Sequence, residues 1–243
     1  MRRISRFLLA LALLPLTALA SEVKIDAAPI NASDKLSLQR GARNFVNYCL
    51  NCHSAQYMRY SRLQDLGLTA QQIQDYLVPV GAKVGDTMAI AMTKQDAKAW
   101  FGVPPPDLSV EARVRGVDWL YTYLRSFYQD DSRPTGWNNL TFPNVGMPHV
   151  LWELQGIQVL QAAEKAEDNG ERHGAPKLVL QSPGKLTPGQ YNEFVADLVN
   201  YLAYMGEPAK MVRTQLGVIV LFFVAVLFAL ALLLKKEYWR DVK

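Results

Sequence analysis

The sequence predicts an all-α domain that is exported and held by one C-terminal transmembrane helix. Three observations lead to this fold class. Residues 1–20 have the pattern of a secretory signal, and residues 214–234 form 21 uncharged, mostly apolar positions. The segments between them show helical spacing of apolar residues and helix-capping signals, with little strand-like alternation. We therefore expect a helical domain with long loop insertions.

The N-terminal segment has the three parts of a signal peptide. It begins with arginines, continues with an apolar run over residues 7–14 and ends in a small-residue cleavage pattern at 18–20. The apolar run is too short to span a bilayer. We expect a signal peptide over 1–20 and a mature chain that faces the periplasm.

Residues 49–53 read Cys-Leu-Asn-Cys-His, and Cys49 and Cys52 are the only cysteines in the chain. This pattern is typical of c-type haem attachment. Each cysteine sulfur can add to one haem vinyl group, and His53 can reach the iron from the same side. The motif predicts one covalently bound haem c, with His53 as an iron ligand.

Other chemistry can use two closely spaced cysteines. A thioredoxin-like redox pair would follow a strand in a βαβ unit, whereas this motif follows a helical pattern. A structural zinc site needs four ligands, and Cys49, Cys52 and either His149 or His173 would leave it one short. A plain disulfide is compatible with an oxidising compartment, although the loop would be tight.

Helices are expected on both sides of the motif. The first covers about 38–48, with Ser37 as its N-cap, and delivers the cysteines. A capping box of Thr69 and Gln72 predicts a short helix that ends before Pro79. Another short helix is expected over 93–100.

A stiff segment precedes the next expected helix. Residues 104–106 are three prolines, which favour an extended conformation. Ser109 is expected to cap a helix that continues to about Phe127. Arg113 and Arg115 lie early in this helix, where solvation is the simpler interpretation, although a guanidinium could also pair with haem propionates.

The second half of the chain contains a loop, a short strand and a strong helix. Turn residues fill 129–146, and residues 177–180 suggest a strand. Thr187 and Pro188 begin a helix with a buried stripe, which ends near residue 206. We expect this helix to pack on the 38–48 helix and close the domain.

The apolar segment 214–234 is long enough to cross a bilayer as a helix. Arg213 precedes it, and Lys235 and Lys236 follow it, so the positive-inside rule places the C-terminal end in the cytoplasm. The expected organisation has five parts: signal peptide 1–20, periplasmic haem domain 21–208, linker 209–213, transmembrane helix 214–234 and cytoplasmic tail 235–243.

Net charge does not indicate a nucleic-acid partner. The formal charge is +4, but the basic residues concentrate in the signal and the tail. Residues 21–234 contain 19 basic and 20 acidic side chains, and haem propionates would make the domain more negative. Such a domain suits a basic soluble protein partner through electrostatic steering.

A second iron ligand decides between ligand binding and electron transfer. An open iron favours the former, and a methionine sulfur, which raises the potential, favours the latter. Met88, Met92 and Met147 remain as candidates from their positions in the sequence. Met147 is restricted between a glycine and a proline, which favours it, but ordinary core packing is equally compatible with this residue.

The ordered motifs resemble the cytochrome c1 family over nearly the whole mature chain. The haem motif is followed by Pro-Pro-Asp-Leu-Ser at 105–109, Arg-Pro-Thr-Gly at 133–136, Gly-Met-Pro at 146–148 and Glu-Pro at 207–208 before the single anchor. The resemblance implies a cytochrome c-like haem domain. The stretch 156–175 does not fit the family pattern and looks like an insertion.

The resemblance also implies roles for particular residues. Cys49 and Cys52 would hold the haem, His53 and Met147 would be the two axial iron ligands, and Arg115 would bind a propionate. No residue of the chain would act as an acid, base or nucleophile, because the redox chemistry belongs to the haem.

The implied role is single-electron transfer in a respiratory chain, within the bacterial inner membrane and its lipid. A Rieske iron–sulfur protein would reduce the haem, which would pass the electron to a soluble c-type cytochrome. Cytochrome b would complete a quinol:cytochrome c oxidoreductase, expected as a dimer. Two alternatives remain: an anchored cytochrome that serves a terminal oxidase, and an exported sensor with an open haem.

Overall fold

The computed structural model describes residues 24–161 and 176–241, so the expected signal peptide 1–20 and most of the 156–175 stretch lie outside it. The described part is mostly helical. Its α-helices are α1 Lys35–Tyr48, α2 Ala70–Tyr76, α3 Lys94–Phe101, α4 Glu111–Arg115, α5 Val117–Arg125, α6 Trp152–Gln155, α7 Pro188–Gly206 and α8 Lys210–Tyr238, and a 3-10 helix covers Tyr60–Leu66.

Three two-stranded antiparallel ribbons connect the helices. The paired strands are β1 Ala55–Arg59 with β2 Thr87–Met88, β3 Phe127–Gln129 with β4 Trp137–Asn139, and β5 Gly156–Gln161 with β6 Lys177–Pro183. The sequence predicted only the last of these six strands. Three of the missed strands have two or three residues, too few to show alternation, and the longer β1 and β5 show no regular alternation of buried and exposed residues.

The packing of α1 against α7 closes the domain, as predicted. The two helices approach so closely at Gly41 that a β-carbon there would overlap the carbonyl oxygen of Asp197 and lie 2.7 Å from Cβ of Tyr201. Arg40 donates two hydrogen bonds to the Asp197 carboxylate, at 2.6 and 2.9 Å. The small residue and the bidentate ion pair together fix how the two helices meet.

Helix caps confirm three of the predicted helix starts and correct a fourth. Capping boxes begin α2 at Thr69 and α7 at Thr187, and the Thr93 hydroxyl accepts from the backbone N–H of Asp96 in α3. The expected Ser37 cap of α1 is wrong. The Asp34 carboxylate caps that helix by accepting from the Ser37 N–H at 3.0 Å, so α1 begins three residues earlier.

The single helix expected from Ser109 to Phe127 is also wrong. Gly116 has φ +88°, which breaks the segment into α4 and α5, and Phe127 belongs to β3. The Ser109 hydroxyl caps no helix. It accepts instead from the backbone N–H of Tyr57, at 3.0 Å.

The apolar C-terminal segment forms the long helix α8. Within the described ranges, one helix, Leu216–Tyr238, is long and apolar enough to cross a membrane, with a mean hydropathy of 3.2 and none of that window buried in the protein. The helix is longer than the expected transmembrane segment 214–234 at both ends, and Lys235 and Lys236 lie in its last turn.

Candidate haem-binding site

A largely apolar cavity of about 250 Å³ lies where the C-terminal end of α1 faces the proline segment, α5 and the Met147 loop. It brings together all four residues that the sequence analysis assigned to the haem: Cys49, Cys52, His53 and Met147. Apolar side chains complete its walls, among them Val103, Leu108, Leu120, Leu124, Leu198 and Leu202. Such a lining suits a flat hydrophobic cofactor.

The cysteine motif forms a tight turn directly after α1. The backbone N–H groups of Cys52 and His53 both donate to the carbonyl of Cys49, at 3.1 and 2.9 Å. The Cys49 N–H in turn donates to Phe45 within the helix, at 2.9 Å. This turn carries both thiols and the imidazole to one side of the chain, where all three line the cavity.

The His53 ring is held in a defined orientation. Its Nδ1 lies 2.8 Å from the carbonyl oxygen of Pro106, and because a carbonyl can only accept, Nδ1 carries the proton. Nε2 is then the atom with a free lone pair. Burial is the largest cause of a lowered pKa at His53, so the ring is neutral, as an iron ligand requires.

The proline segment is fixed to the chain that follows the motif. The Asp107 carboxylate accepts from the N–H groups of Gln56 and Ser109, both at 2.9 Å, and the Leu108 N–H donates to the carbonyl of Ser54 at 2.8 Å. These bonds hold the Pro106 carbonyl against His53. This role was not predicted from the sequence, although an aspartate two residues before a serine, after a rigid proline run, is a typical signal for such local bonds.

Met147 lies in the same cavity, and the other two candidate methionines do not. Met88 is fully buried beside Tyr201, whose hydroxyl is 3.5 Å from its sulfur, and Met92 lines a separate cleft. The hydroxyl of Tyr123 donates to the sulfur of Met147 at 3.4 Å. Of the three candidates, only Met147 lines the same cavity as His53.

The loop before Met147 is clamped by the arginine of the Arg-Pro-Thr-Gly motif. Arg133 donates from Nη1 to the Asn144 side chain at 3.1 Å and from Nη2 to its carbonyl at 3.3 Å. Asn144 has φ +63°, and its N–H donates to the side chain of Asn138 at 2.8 Å. Arg133 therefore holds the loop at Asn144, three residues before Met147.

Arg115 lies at the edge of the cavity. Its guanidinium stands 4.9 Å from the ring centre of Trp119 and 5.5 Å from that of Phe142, and Nε donates to Glu111 at 3.1 Å. The side chain is 43% exposed, and its Nε is the donor that the Glu111 carboxylate engages. Its position suits an anionic group at the rim, such as a propionate.

The alternatives to haem are less compatible with this geometry. Cys49 and Cys52 form no disulfide. Burial, followed by the neighbouring Cys52, raises the pKa of the Cys49 thiol to about 12, whereas a redox-active cysteine needs a lowered pKa. In the part of the chain that the structure describes, no group of three His, Cys, Asp or Glu side chains could hold a metal ion.

The donor set fits a c-type haem. Two thiols, a neutral imidazole with a free Nε2 and a thioether converge on one apolar cavity. When bound, a haem ligated by histidine and methionine supplies one-electron redox chemistry at a raised potential. With the apolar helix α8, these features define a membrane-anchored c-type cytochrome.

Known proteins agree with this class. The Cytochrome C1 family model matches residues 26–167 and 185–242. Cytochrome c1 of Allochromatium vinosum is 50% identical over 90% of this chain and 89% of its own, and cytochrome c1 of Rhodospirillum rubrum is 28% identical over 86% and 83%. A Nitrosomonas europaea protein named ammonia monooxygenase gamma subunit is 53% identical over the full length of both chains.

The chain belongs to the cytochrome c1 family. It carries one covalently bound haem c and is the electron-transferring haem subunit of a cytochrome bc1 complex, with cytochrome b and a Rieske iron–sulfur protein. The family match skips 168–184, which overlaps the stretch 156–175 that the sequence analysis singled out as an insertion.

Proposed function

We propose that this chain accepts single electrons from the Rieske protein and passes them to a soluble c-type cytochrome, on the periplasmic side of a bacterial inner membrane. One observation carries the proposal: Cys49, Cys52, His53 and Met147, which are separated by up to 98 residues, line one apolar cavity. A haem iron held by both His53 and Met147 would have no position left for a gas or substrate, and such a haem would supply the one-electron chemistry that electron transfer needs.

Each residue has a distinct role in the proposed site. Cys49 and Cys52 would attach the haem through thioether bonds, and His53 Nε2 and Met147 Sδ would bind its iron. Arg115, at the rim of the cavity, binds a propionate. The proposed division of the chain remains a signal peptide 1–20, a haem domain 21–208, a linker 209–213, a transmembrane helix 214–234 and a tail 235–243.

The proposed orientation and acceptor rest on charge. Lys235 and Lys236 follow the apolar segment, which favours a cytoplasmic tail and a periplasmic haem domain. The haem domain is slightly acidic, which supports steering of a basic soluble cytochrome toward the exposed rim of the cavity. A dimeric complex follows from the family resemblance.

A second candidate function, that of a monooxygenase subunit, is suggested by the name of the Nitrosomonas europaea relative. In that role, the chain would assemble with an oxygen-activating enzyme. The 53% identity supports the same role for the two proteins. A methionine-closed haem favours electron transfer over oxygen activation for this chain.

Purification of the tagged, full-length chain from its own membranes in mild detergent tests the proposal. We expect cytochrome b and a Rieske protein to co-purify, with b-type and c-type absorption bands and an iron–sulfur signal in the same fraction. A control purification with the tag on an unrelated single-helix membrane protein should contain none of these partners.

Other compositions would contradict the proposal. A fraction with c-type haem and a terminal oxidase would indicate a free-standing anchored cytochrome. A fraction with monooxygenase subunits would favour the second function. Rapid carbon monoxide binding by the reduced native protein would indicate an open iron, because a methionine-ligated iron resists this ligand.

A further inference from the structure

Tyr123 on α5 is the polar side chain that contacts the sulfur of Met147. Its hydroxyl oxygen lies 3.4 Å from Sδ, within hydrogen-bond distance for a sulfur acceptor, and the residue is 91% buried. We propose that Tyr123 is a positioning residue that donates a hydrogen bond to the Met147 sulfur and thereby raises the reduction potential of the haem. This inference rests on the proposed role of Met147 as an axial ligand.

The tyrosine ring is fixed by its aromatic neighbours. Trp119 stacks on it with a centroid distance of 4.8 Å and an interplanar angle of 9°, and Phe127 meets it edge-on at 5.1 Å. Trp119 and Tyr123 are four residues apart on α5 and so lie on the same side of that helix, and Phe127 follows at the start of β3. The hydroxyl therefore cannot turn away from the cavity without disrupting this stack.

The chain just after the acceptor Met147 packs against the same aromatic rings. His149, two residues after Met147, lies parallel to Phe127 with a centroid distance of 4.8 Å and meets Trp137 edge-on at 5.1 Å. His149 is 2% exposed. One aromatic column, defined here as Trp119, Tyr123, Phe127 and His149, thus contains the donor and a residue two positions after the acceptor, which limits how far the two can move apart.

Hydrogen bonding changes the sulfur as an iron ligand. A thioether sulfur has two lone pairs, so it can bind iron with one and accept the hydroxyl proton with the other. The hydrogen bond withdraws electron density from the sulfur. The oxidised iron depends more on this density than the reduced iron, so the bond favours reduction and raises the potential.

Simple satisfaction of a buried hydroxyl is the competing explanation, because buried tyrosine hydroxyls usually find a partner. The chain contains a matched pair that distinguishes the two. Tyr201 donates to the sulfur of Met88 at 3.5 Å, both residues are fully buried, and neither their bond nor Met88 belongs to the cavity. Loss of that bond should leave the haem unaffected.

The experiment compares Tyr123→Phe with Tyr201→Phe by redox titration of the c-type haem in the detergent-purified full-length chain. We expect Tyr123→Phe to shift the equilibrium toward the oxidised haem by about threefold to tenfold, which is a lowering of about 28 to 59 mV for one electron. Tyr201→Phe should titrate like the wild type. Haem staining after denaturing electrophoresis confirms equal covalent attachment in both variants.

A second pair of variants keeps the test independent of any packing effect. In a Met147→His background the sulfur is gone, so adding Tyr123→Phe should cause less than a third of the shift that it causes beside Met147. Equal potentials for Tyr123→Phe and the wild type, equal shifts for the two tyrosine variants, or an undiminished shift in the Met147→His background would each overturn the proposal.

The axial-ligand assignment fails in a different and recognisable way. If Met147→His leaves both the haem spectrum and the potential unchanged, Met147 is not a ligand, and the role of Tyr123 falls with it. If Met147→His changes both but Tyr123→Phe has no effect, the assignment of Met147 stands and only the tyrosine inference is overturned.

Discussion

His53 is oriented by a hydrogen bond that belongs to a different segment of the chain. The Pro106 carbonyl at 2.8 Å fixes the tautomer, and Asp107 fixes that carbonyl through two backbone N–H groups. A ligand that is oriented before the iron arrives loses less conformational freedom on binding. Proline removes backbone flexibility at the same place, so rigidity and hydrogen bonding act together.

Replacing Met147 with leucine tests the second ligand. Leucine keeps the apolar volume but cannot donate to iron, so we expect a potential lowered by on the order of 100 mV or more, since axial ligands move haem potentials across about 0.8 V. The haem should stay covalently attached through Cys49 and Cys52. Redox titration and carbon monoxide binding to the reduced protein measure the two consequences.

Met92→Leu is the matched control for this prediction. Met92 lines the separate cleft and should give a wild-type potential and no carbon monoxide binding. A Met147→Leu protein that retains the wild-type potential would show that the sulfur does not bind the iron.

At the scale of single residues, the sequence predicts the local chemistry but not the distant partners. The motif at 49–53 predicts three haem-binding residues, because the chemistry of this motif depends on local spacing alone. For the second iron ligand, the positions of the methionines left three candidates, Met88, Met92 and Met147, because the distance of each sulfur from His53 depends on the tertiary fold. Arg133 and Asp107 carry no chemistry of their own, so their roles become visible only through the segments that they hold.

Among the helices, the crossing of α1 and α7 sets the shape of the haem domain. Gly41 allows the two backbones to approach, and the Arg40–Asp197 ion pair lies beside the crossing. Because α1 ends at the cysteine motif, a displaced crossing would also move the haem-binding residues.

A β-carbon at Gly41 tests this arrangement. Gly41→Ala should destabilise the domain by about 1–3 kcal/mol or more, because an added carbon in a close-packed crossing forces the helices apart. Thermal unfolding in detergent, followed through the haem absorbance and by circular dichroism, provides the measurement.

Gly189→Ala on α7 is the corresponding control. A β-carbon at Gly189 meets nothing within 4 Å, so the variant should be neutral or more stable by about 0.4–1 kcal/mol. Similar melting temperatures for Gly41→Ala and Gly189→Ala would contradict the tight crossing.

Local signals predicted the helices well where a side chain satisfies the first turn. The box at Thr69 is predictable because threonine and glutamine three residues apart satisfy each other's backbone groups, and the start at Thr187 is predictable from a threonine cap followed by proline. The break at Gly116 was missed because glycine is also tolerated inside helices. At α1, Asp34 and Ser37 are both good caps, and sequence alone does not rank them.

At the scale of the molecule, the described chain combines a cavity that suits haem with a long exposed apolar helix. This helix suits a membrane anchor, and only the three residues 207–209 separate it from α7. Composition predicted this organisation, because a stretch of 21 uncharged residues has few structural alternatives. Cytochrome b and the Rieske protein could not be predicted from composition, and these partners are inferred from membership of the cytochrome c1 family.

The most direct test of the central claim is quinol:cytochrome c reductase turnover of the purified complex. A complex with the wild-type chain should reduce soluble cytochrome c with quinol as donor. A Cys49→Ala/Cys52→Ala complex that retains b-type haem and the Rieske centre should lose this activity. Without its covalent haem, the chain cannot carry electrons from the Rieske centre to soluble cytochrome c. Undiminished turnover in that complex would show that electrons do not pass through this chain.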